Sequence, residues 1–575
     1  MGPTFLEALG PAADAAVRDL RSASDDPATL QHRELMARAL TLVGAWVRTG
    51  GPAQADETDL TTAHGYVRHL ADRQSEHGTF VGGDNVLSPP DSAFTVNDCC
   101  DALELLAPVR DVSSVAGALA EDLDRMVLRA APALRTGGVH TPNHRWEISA
   151  ALARVHRLHP DPALVARIEE WLAEGADIDA DGLWSERSPN YAVAVSCPSF
   201  LVLAEVLGRP ELLEPVRRSI DAVLALLLPD DTVETVQSRR QDQSRPFGIG
   251  PFAPLLWHVA VQDDRADVAA VARRAVTLDM WQPGAVAARA MTDPLLGRPL
   301  PDRDAPAAPA REVLRFADAR LVHVREPRRS VVVFAGSDVP AQGHVRSGLA
   351  NSPTFLRVLA GDVVLSDVRL SREFFGLGPF RPTSITSLAR GAGDGDDVLR
   401  FRLTESVEAG YHQPLPPARR RPDGAYDLRD EGRFSAAMDF GDRAVDTVTL
   451  TTTVDVTVLP DAVVLDLELD GADVPWALQL TFRSGGTVTG MEQDVEGNRV
   501  LVSGTGSYRV GDDVVTVGPG NGSGPEQPAF YAPGQDYAFL GGTDRPDGEH
   551  VFVTGRAPGR TRITIGTGRS PGTSA

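Results

Sequence analysis

The hydrophobic period changes once along this chain, and that change dictates two regions of different structural class. From about residue 5 to 290, apolar residues recur at helical spacing, as in Leu152, Val155 and Leu158, or Leu164, Ile168, Trp171 and Leu172. Around Pro299 to Pro309 the text turns rich in Pro, Asp and Ala. Beyond it the period becomes alternating, as in Leu321-Val322-His323-Val324, Ser330 to Phe334 and Val448 to Val454. The helical segments are separated by breaks at Gly50-Gly51, Gly82-Gly83, Gly137-Gly138 and Gly208-Arg209-Pro210. Many paired helices of this length predict an α/α hairpin array or toroid, and pattern alone does not separate an open solenoid from a closed ring. Strands such as Ala462 to Leu469 and Arg560 to Ile565 are joined by Gly/Asp/Pro turns with no helix between them, which predicts antiparallel sheets packed as a sandwich.

Length supports the division: 575 residues exceed the roughly 250–300 at which a single core stops growing. The most apolar run, Ile220 to Leu228, stops at Pro229, short of the roughly 20 residues of a membrane span, and reads as a buried helix. The first residues carry neither a basic leader nor an apolar stretch, so a cytoplasmic location is the expectation unless a leader was removed. Of three cysteines, Cys99 and Cys100 are adjacent in a helical run, where two buried reduced thiols are expected. A formal charge of −23 repels polyanions at long range, which argues against nucleic acid unless a basic cleft overrides it.

Three segments gather the residue types that do chemistry. Thr141-Pro142-Asn143-His144-Arg145-Trp146-Glu147 opens a helix, with Asn143 the expected N-cap and His144 and Glu147 on one face of the first turn. Read alone, it fits a plain cap and a surface pair better than a catalytic site. Asp179 to Tyr191 is a turn-rich loop that ends in a tyrosine as the next helix begins. Glu234 to Gln243 places Arg239 and Arg240 among amides and carboxylates, a solvated loop or a ligand contact.

In order and type, Asn143-His144-Arg145-Trp146-Glu147 followed by Ser188-Pro189-Asn190-Tyr191 resembles the heparinase II/III-like polysaccharide lyases. That family places an antiparallel β-sandwich after an (α/α) toroid, so the resemblance covers most of the chain. It implies a multidomain α and β protein: a toroidal catalytic domain over 1–295, a linker over 296–311 and a β-sandwich over 312–575. It also implies β-elimination on a uronic-acid-containing polysaccharide or oligosaccharide, leaving a 4,5-unsaturated uronate. Tyr191, His144, Asn143 and Arg240 become the expected catalytic residues. Glu147, Arg239, Trp184, Asn190 and His344 become expected substrate contacts, Trp184 as a stacking platform. The charge favours a sparsely charged acidic glycan as partner, with neither nucleic acid nor membrane involved; oligomeric state stays open.

The family's sandwich often reads His-x-His-x-Asp before Ser-Phe, Gly and Asp, and the histidines contribute to a zinc site. Here Thr354-Phe355, Gly361 and Asp367 fit the frame, but Ser347, Leu349 and Asn351 stand where the metal-binding positions fall. His344 and His412 lack the spacing for chelation from one strand, so no metal and no cofactor are expected. The same fold and His/Tyr pair also suit a uronate C5-epimerase or a non-catalytic glycan-binding protein, and sequence does not separate these.

Overall fold

The computed structural model describes residues 2–569 apart from 54–55, 84, 306, 308, 343–348, 350–351, 390–394, 396, 432–434, 523–528, 530 and 532–545. It resolves into two compact units. One comprises residues 1–227, 231–233 and 246–308, the other 228–230, 234–245 and 309–575.

The first unit is an (α/α) toroid built from α1 (Phe5–Ser22), α2 (His32–Arg48), α3 (Thr58–Arg73), α4 (Pro89–Leu106), α5 (Ser114–Thr136), α6 (Asn143–Leu158), α7 (Pro162–Leu172), α8 (Pro189–Tyr191), α9 (Cys197–Val206), α10 (Glu214–Ala225), α11 (Ala253–Gln262), α12 (Ala266–Ala275) and α13 (Pro283–Ala290). Helices α2, α4, α6 and α9 pack on one another in turn, and α3, α5, α7 and α10 back them from outside. Composition separates the layers. Inner α6 buries Trp146 and every residue from Ile148 to Ala153, whereas outer α7 buries only Leu164 and Ile168, the single stripe of a surface helix. The ring closes where α13 packs on α1 and α2. Small residues permit that contact: a Cβ at Gly44 would overlap Ala288, and one at Gly284 would overlap Thr41. The N–H of Phe5 donates to the carbonyl of Leu296 at 3.1 Å, and the Phe5 ring meets Trp257 edge-on at 5.5 Å.

The run Pro189–Val206 is long and apolar enough to cross a membrane by length and composition alone, but here it packs on α6 inside the toroid. Cys99, Cys100 and Cys197 are buried free thiols.

The second unit is a sandwich of a nine-stranded and an eight-stranded sheet, counted among the described residues. Its pairings are antiparallel except that Arg499–Val500 runs parallel to the strand at Val551. In Val445–Val458 the inward positions Leu450, Val454, Val456 and Val458 are fully buried, the alternation of a half-covered strand. They join Leu465, Leu467, Leu478, Leu480, Ile563 and Ile565 in one continuous core between the sheets. Thr354 and Asp367, both from the resemblance frame, meet through a 2.6 Å hydrogen bond donated by the threonine hydroxyl.

Candidate active site

Helix α6 begins differently from the sequence expectation. Pro142 is the cap residue, and Asn143 is the first helical residue with no capping hydrogen bond. A side chain on helical backbone cannot fold back onto the free amides of its own first turn, so the Asn143 amide turns sideways. The Thr141 hydroxyl donates to its Oδ1 at 3.1 Å, and its Nδ2 donates to Glu186 Oε2 at 2.5 Å. Asn143 and Glu186 are both buried, so this bond is shielded from water.

That bond docks the loop preceding Tyr191 onto the start of α6, and Asp177 docks it again. The Trp146 indole donates to Asp177 Oδ1 at 2.6 Å, Arg145 pairs with the same oxygen at 3.1 Å, and the Ser185 hydroxyl donates to Oδ2. Within the loop Ile178 bridges Trp184, and Gly182, at φ +83°, lies so close to the carbonyl of Arg218 that a Cβ would collide. Arg187 adopts φ +50°, a costly conformation for an arginine, directly before Ser188-Pro189-Asn190-Tyr191. Ser188 then caps α8, its hydroxyl accepting from the Tyr191 N–H at 3.2 Å, with Pro189 at the favoured first position.

Immediately after Tyr191 the helix widens into a π-helical turn over Ala192–Ser196, closed by the Cys197 N–H donating to the carbonyl of Ala192. Pro198 explains it: its ring would clash with the carbonyl of Ala194 in a regular α-helix, and it has no N–H to donate. The widened turn directly follows half-buried Tyr191.

His144 is buried, with His140 edge-on at 4.7 Å and Phe94 edge-on at 6.4 Å. Arg33 stacks over Phe94 at 3.8 Å and pairs with Asp91, which also accepts from Ser88 at 2.6 Å and Asn85 at 3.1 Å. The segment after the short hairpin β1 (Phe80–Gly82) and β2 (Asn85–Ser88) therefore backs the imidazole. Glu147 does not pair with His144 by any hydrogen bond described; Asn97 Nδ2 donates to its Oε1 at 2.7 Å. Burial pushes the Glu147 carboxyl up to about 7, Asn97 only partly opposing the shift.

One expected contact needs correction. Trp184 is 4% exposed, donates its indole N–H to Ser219 at 3.1 Å and packs against Phe200 at 5.2 Å, so it is a core residue with no face for a sugar. The other expected residues fall in different places. Asn143, His144, Glu147, Asn190 and Tyr191 belong to the toroid, whereas Arg239 and Arg240 group with the sandwich unit. There Arg239 forms a two-point ion pair with Asp338 at 2.6 and 2.8 Å, and Arg240 begins the short turn Gln241–Ser244. His344, Ser347 and Asn351 lie outside the described residues. His412 sits 3.3 Å from Glu431 and against Phe440. Sequence reading overlooked Asp177 and Asn97. Asn97, with Asp98 and Asp101, is signalled by polar residues inside an otherwise buried helix.

No family model matches the chain, and no curated protein does either. Solved structures do match. The chain has the toroid-plus-sandwich fold of the heparinase-like polysaccharide lyases. Heparan sulfate lyase HepC from Pedobacter heparinus superimposes with a TM-score of 0.50 at 11% identity, over 98% of this chain and 89% of that one. A heparinase III follows at TM-score 0.48 and 12% identity, over 92% and 74%, and the chondroitin AC lyase of Streptomyces coelicolor A3 with chondroitin sulphate at 0.47 and 14%, over 98% and 80%.

Proposed function

We propose that this protein is a polysaccharide or oligosaccharide lyase that cleaves a uronic-acid-containing glycan by β-elimination, leaving a 4,5-unsaturated uronate. The observation that carries the reading is the buried Asn143–Glu186 hydrogen bond, which fastens the loop leading to Tyr191 onto the helix start that holds His144. Elimination needs the C5 proton removed while the adjacent carboxylate is neutralised and the O4 leaving group is protonated.

Each demand has a residue suited to it. Asn143, held between Thr141 and Glu186, presents a preorganised amide for the substrate carboxylate, assisted in this reading by Arg240. His144, or Tyr191 for a syn substrate, takes the C5 proton. The electron pair forms the C4–C5 double bond, the C4–O4 bond breaks, and Tyr191 delivers a proton to O4. Each positioned acid or base is worth on the order of 10²–10⁴-fold. Glu147, Asn190, Arg239 and His344 remain proposed substrate contacts. The fold shared with a heparan sulfate lyase supports this reading, while the −23 charge favours a less densely charged uronate glycan.

The test is an ultraviolet screen against uronate polysaccharides and oligosaccharides. A lyase generates a conjugated chromophore; an epimerase generates none and incorporates solvent deuterium at C5. Tyr191→Phe is expected to bind the accepted glycan with unchanged affinity and to lose cleavage. Full cleavage by that variant overturns the scheme.

A further inference from the structure

The toroid encloses a cavity of about 890 Å³, within the range of small-molecule sites, and its lining begins beside the site described above, at Arg33, Phe94 and Glu147. We propose that Arg33 is a further substrate-binding residue of that site, the guanidinium that takes up the carboxylate of a uronate sugar as the sugar lies against His144. The inference rests on the uronate part of the reading given above and names the residue that recognises the acid. Arg33 is the second residue of α2 and is held from two sides. Its guanidinium lies over the Phe94 ring at 3.8 Å, and it pairs with Asp91 in the first turn of α4. Phe94 in turn meets His144 edge-on at 6.4 Å, so one aromatic ring links the guanidinium to the imidazole.

The lining holds three other arginines, and each is engaged more than once. Arg154 donates to Asp101 and Asn97, Arg289 donates twice to Asp98, and Arg157 pairs with both Glu104 and Glu205. Arg33 makes one hydrogen bond among the described residues, to Asp91, and Asp91 accepts in addition from Ser88 and Asn85. A guanidinium has five N–H donors, and the Arg33 side chain is 39% exposed, so donors remain for a second acceptor. Stacked on a ring, the group offers them along its edge as a fixed fork that matches a carboxylate and needs little further ordering. The local charge permits such a ligand. Four arginines of the lining face five carboxylates, and burial moves two of these, Asp98 and Glu147, toward the neutral form. The cavity is thus close to charge balance inside a chain of −23, and it tolerates an anion that the outer surface repels.

The test titrates the full chain, in moderate salt and by ligand-observed NMR, with D-glucuronate and D-galacturonate and with their neutral amides, D-glucuronamide and D-galacturonamide. The series is repeated on Arg33→Gln, on Arg33→Ala and on Arg68→Ala, a control whose side chain is 70% exposed on α3. The expected result is that the parent binds at least one of the two acids at least about tenfold tighter than its own amide. Arg33→Gln and Arg33→Ala should lose that preference and Arg68→Ala should keep it. If one Arg33 variant does not fold, the other decides. Acid and amide bound alike by the parent, binding of neither acid, or a folded Arg33 variant that keeps the preference overturns the proposal. The readout does not depend on cleavage. A preference that needs Arg33, in a chain that forms no unsaturated product, supports the carboxylate contact and retires the elimination; cleavage with a preference indifferent to Arg33 does the reverse.

Discussion

Glu147 and Glu186 are both buried carboxylates near the start of α6, and each accepts from an asparagine amide. Burial outweighs that donor at Glu147, whose carboxyl is pushed up to about 7. Its folded value lies above its ordinary 4.5, so the folded state holds the proton more tightly than the unfolded chain. Stability is therefore highest below the unfolded value and is lost as pH rises from about 4.5 to 7, by on the order of 3 kcal/mol. Glu147→Gln keeps an acceptor for Asn97 without the charge. Urea melts should show its gain over the parent growing between pH 5 and pH 8, and an equal difference at both would refute the assignment. Glu186→Ala acts differently: it leaves the Asn143 Nδ2 without its acceptor, and thermal melts should report a loss of about 1–3 kcal/mol together with a fall in kcat on the accepted glycan.

At the scale of elements, the period of the apolar residues was enough to locate α6, α7 and the long alternating strands, because inward-facing residues repeat with the local geometry whatever the partner. Features set by long-range partners were not legible. Asn143 looked like an N-cap because its type and place fit, and only Glu186 in a distant loop shows where the amide goes. Trp184 stood out as a platform because it lies seven residues before Tyr191, yet Ser219 and Phe200 enclose it. The grouping of Glu234–Arg245 with the sandwich rests on contacts such as Arg357 to Glu234 at 2.5 Å, which no local pattern encodes. The π-turn was readable in principle from Pro198 inside an apolar helical run. Pro198→Ala restores an amide and removes the clash, which should leave thermal stability equal or higher, interior proline being worth about 3 kcal/mol in a helix. The same change should turn Tyr191 away from its working direction and lower kcat/KM at least about tenfold. A stable variant of full activity would mean that the widened turn does not aim the tyrosine.

For the whole molecule, the decisive quantity is the −23 charge set against the acidic substrate proposed above. At low ionic strength the protein's long-range field opposes the approach of a uronate chain, and near arginines act only within the last few ångströms. Added salt shortens the Debye length from about 30 Å at 0.01 M to about 8 Å at 0.15 M, which removes the repulsion first and leaves contact interactions largely intact. The expected outcome is that kcat/KM on an oligouronate rises several-fold across that range, the reverse of an enzyme that steers its substrate with a basic surface. Because the effect acts on encounter, kcat at saturation should stay level while kcat/KM climbs, and the climb should steepen with the number of uronates in the substrate. A steady fall of kcat/KM with salt would instead mean that a locally basic cleft dominates the field, and would reopen densely charged glycans as substrates.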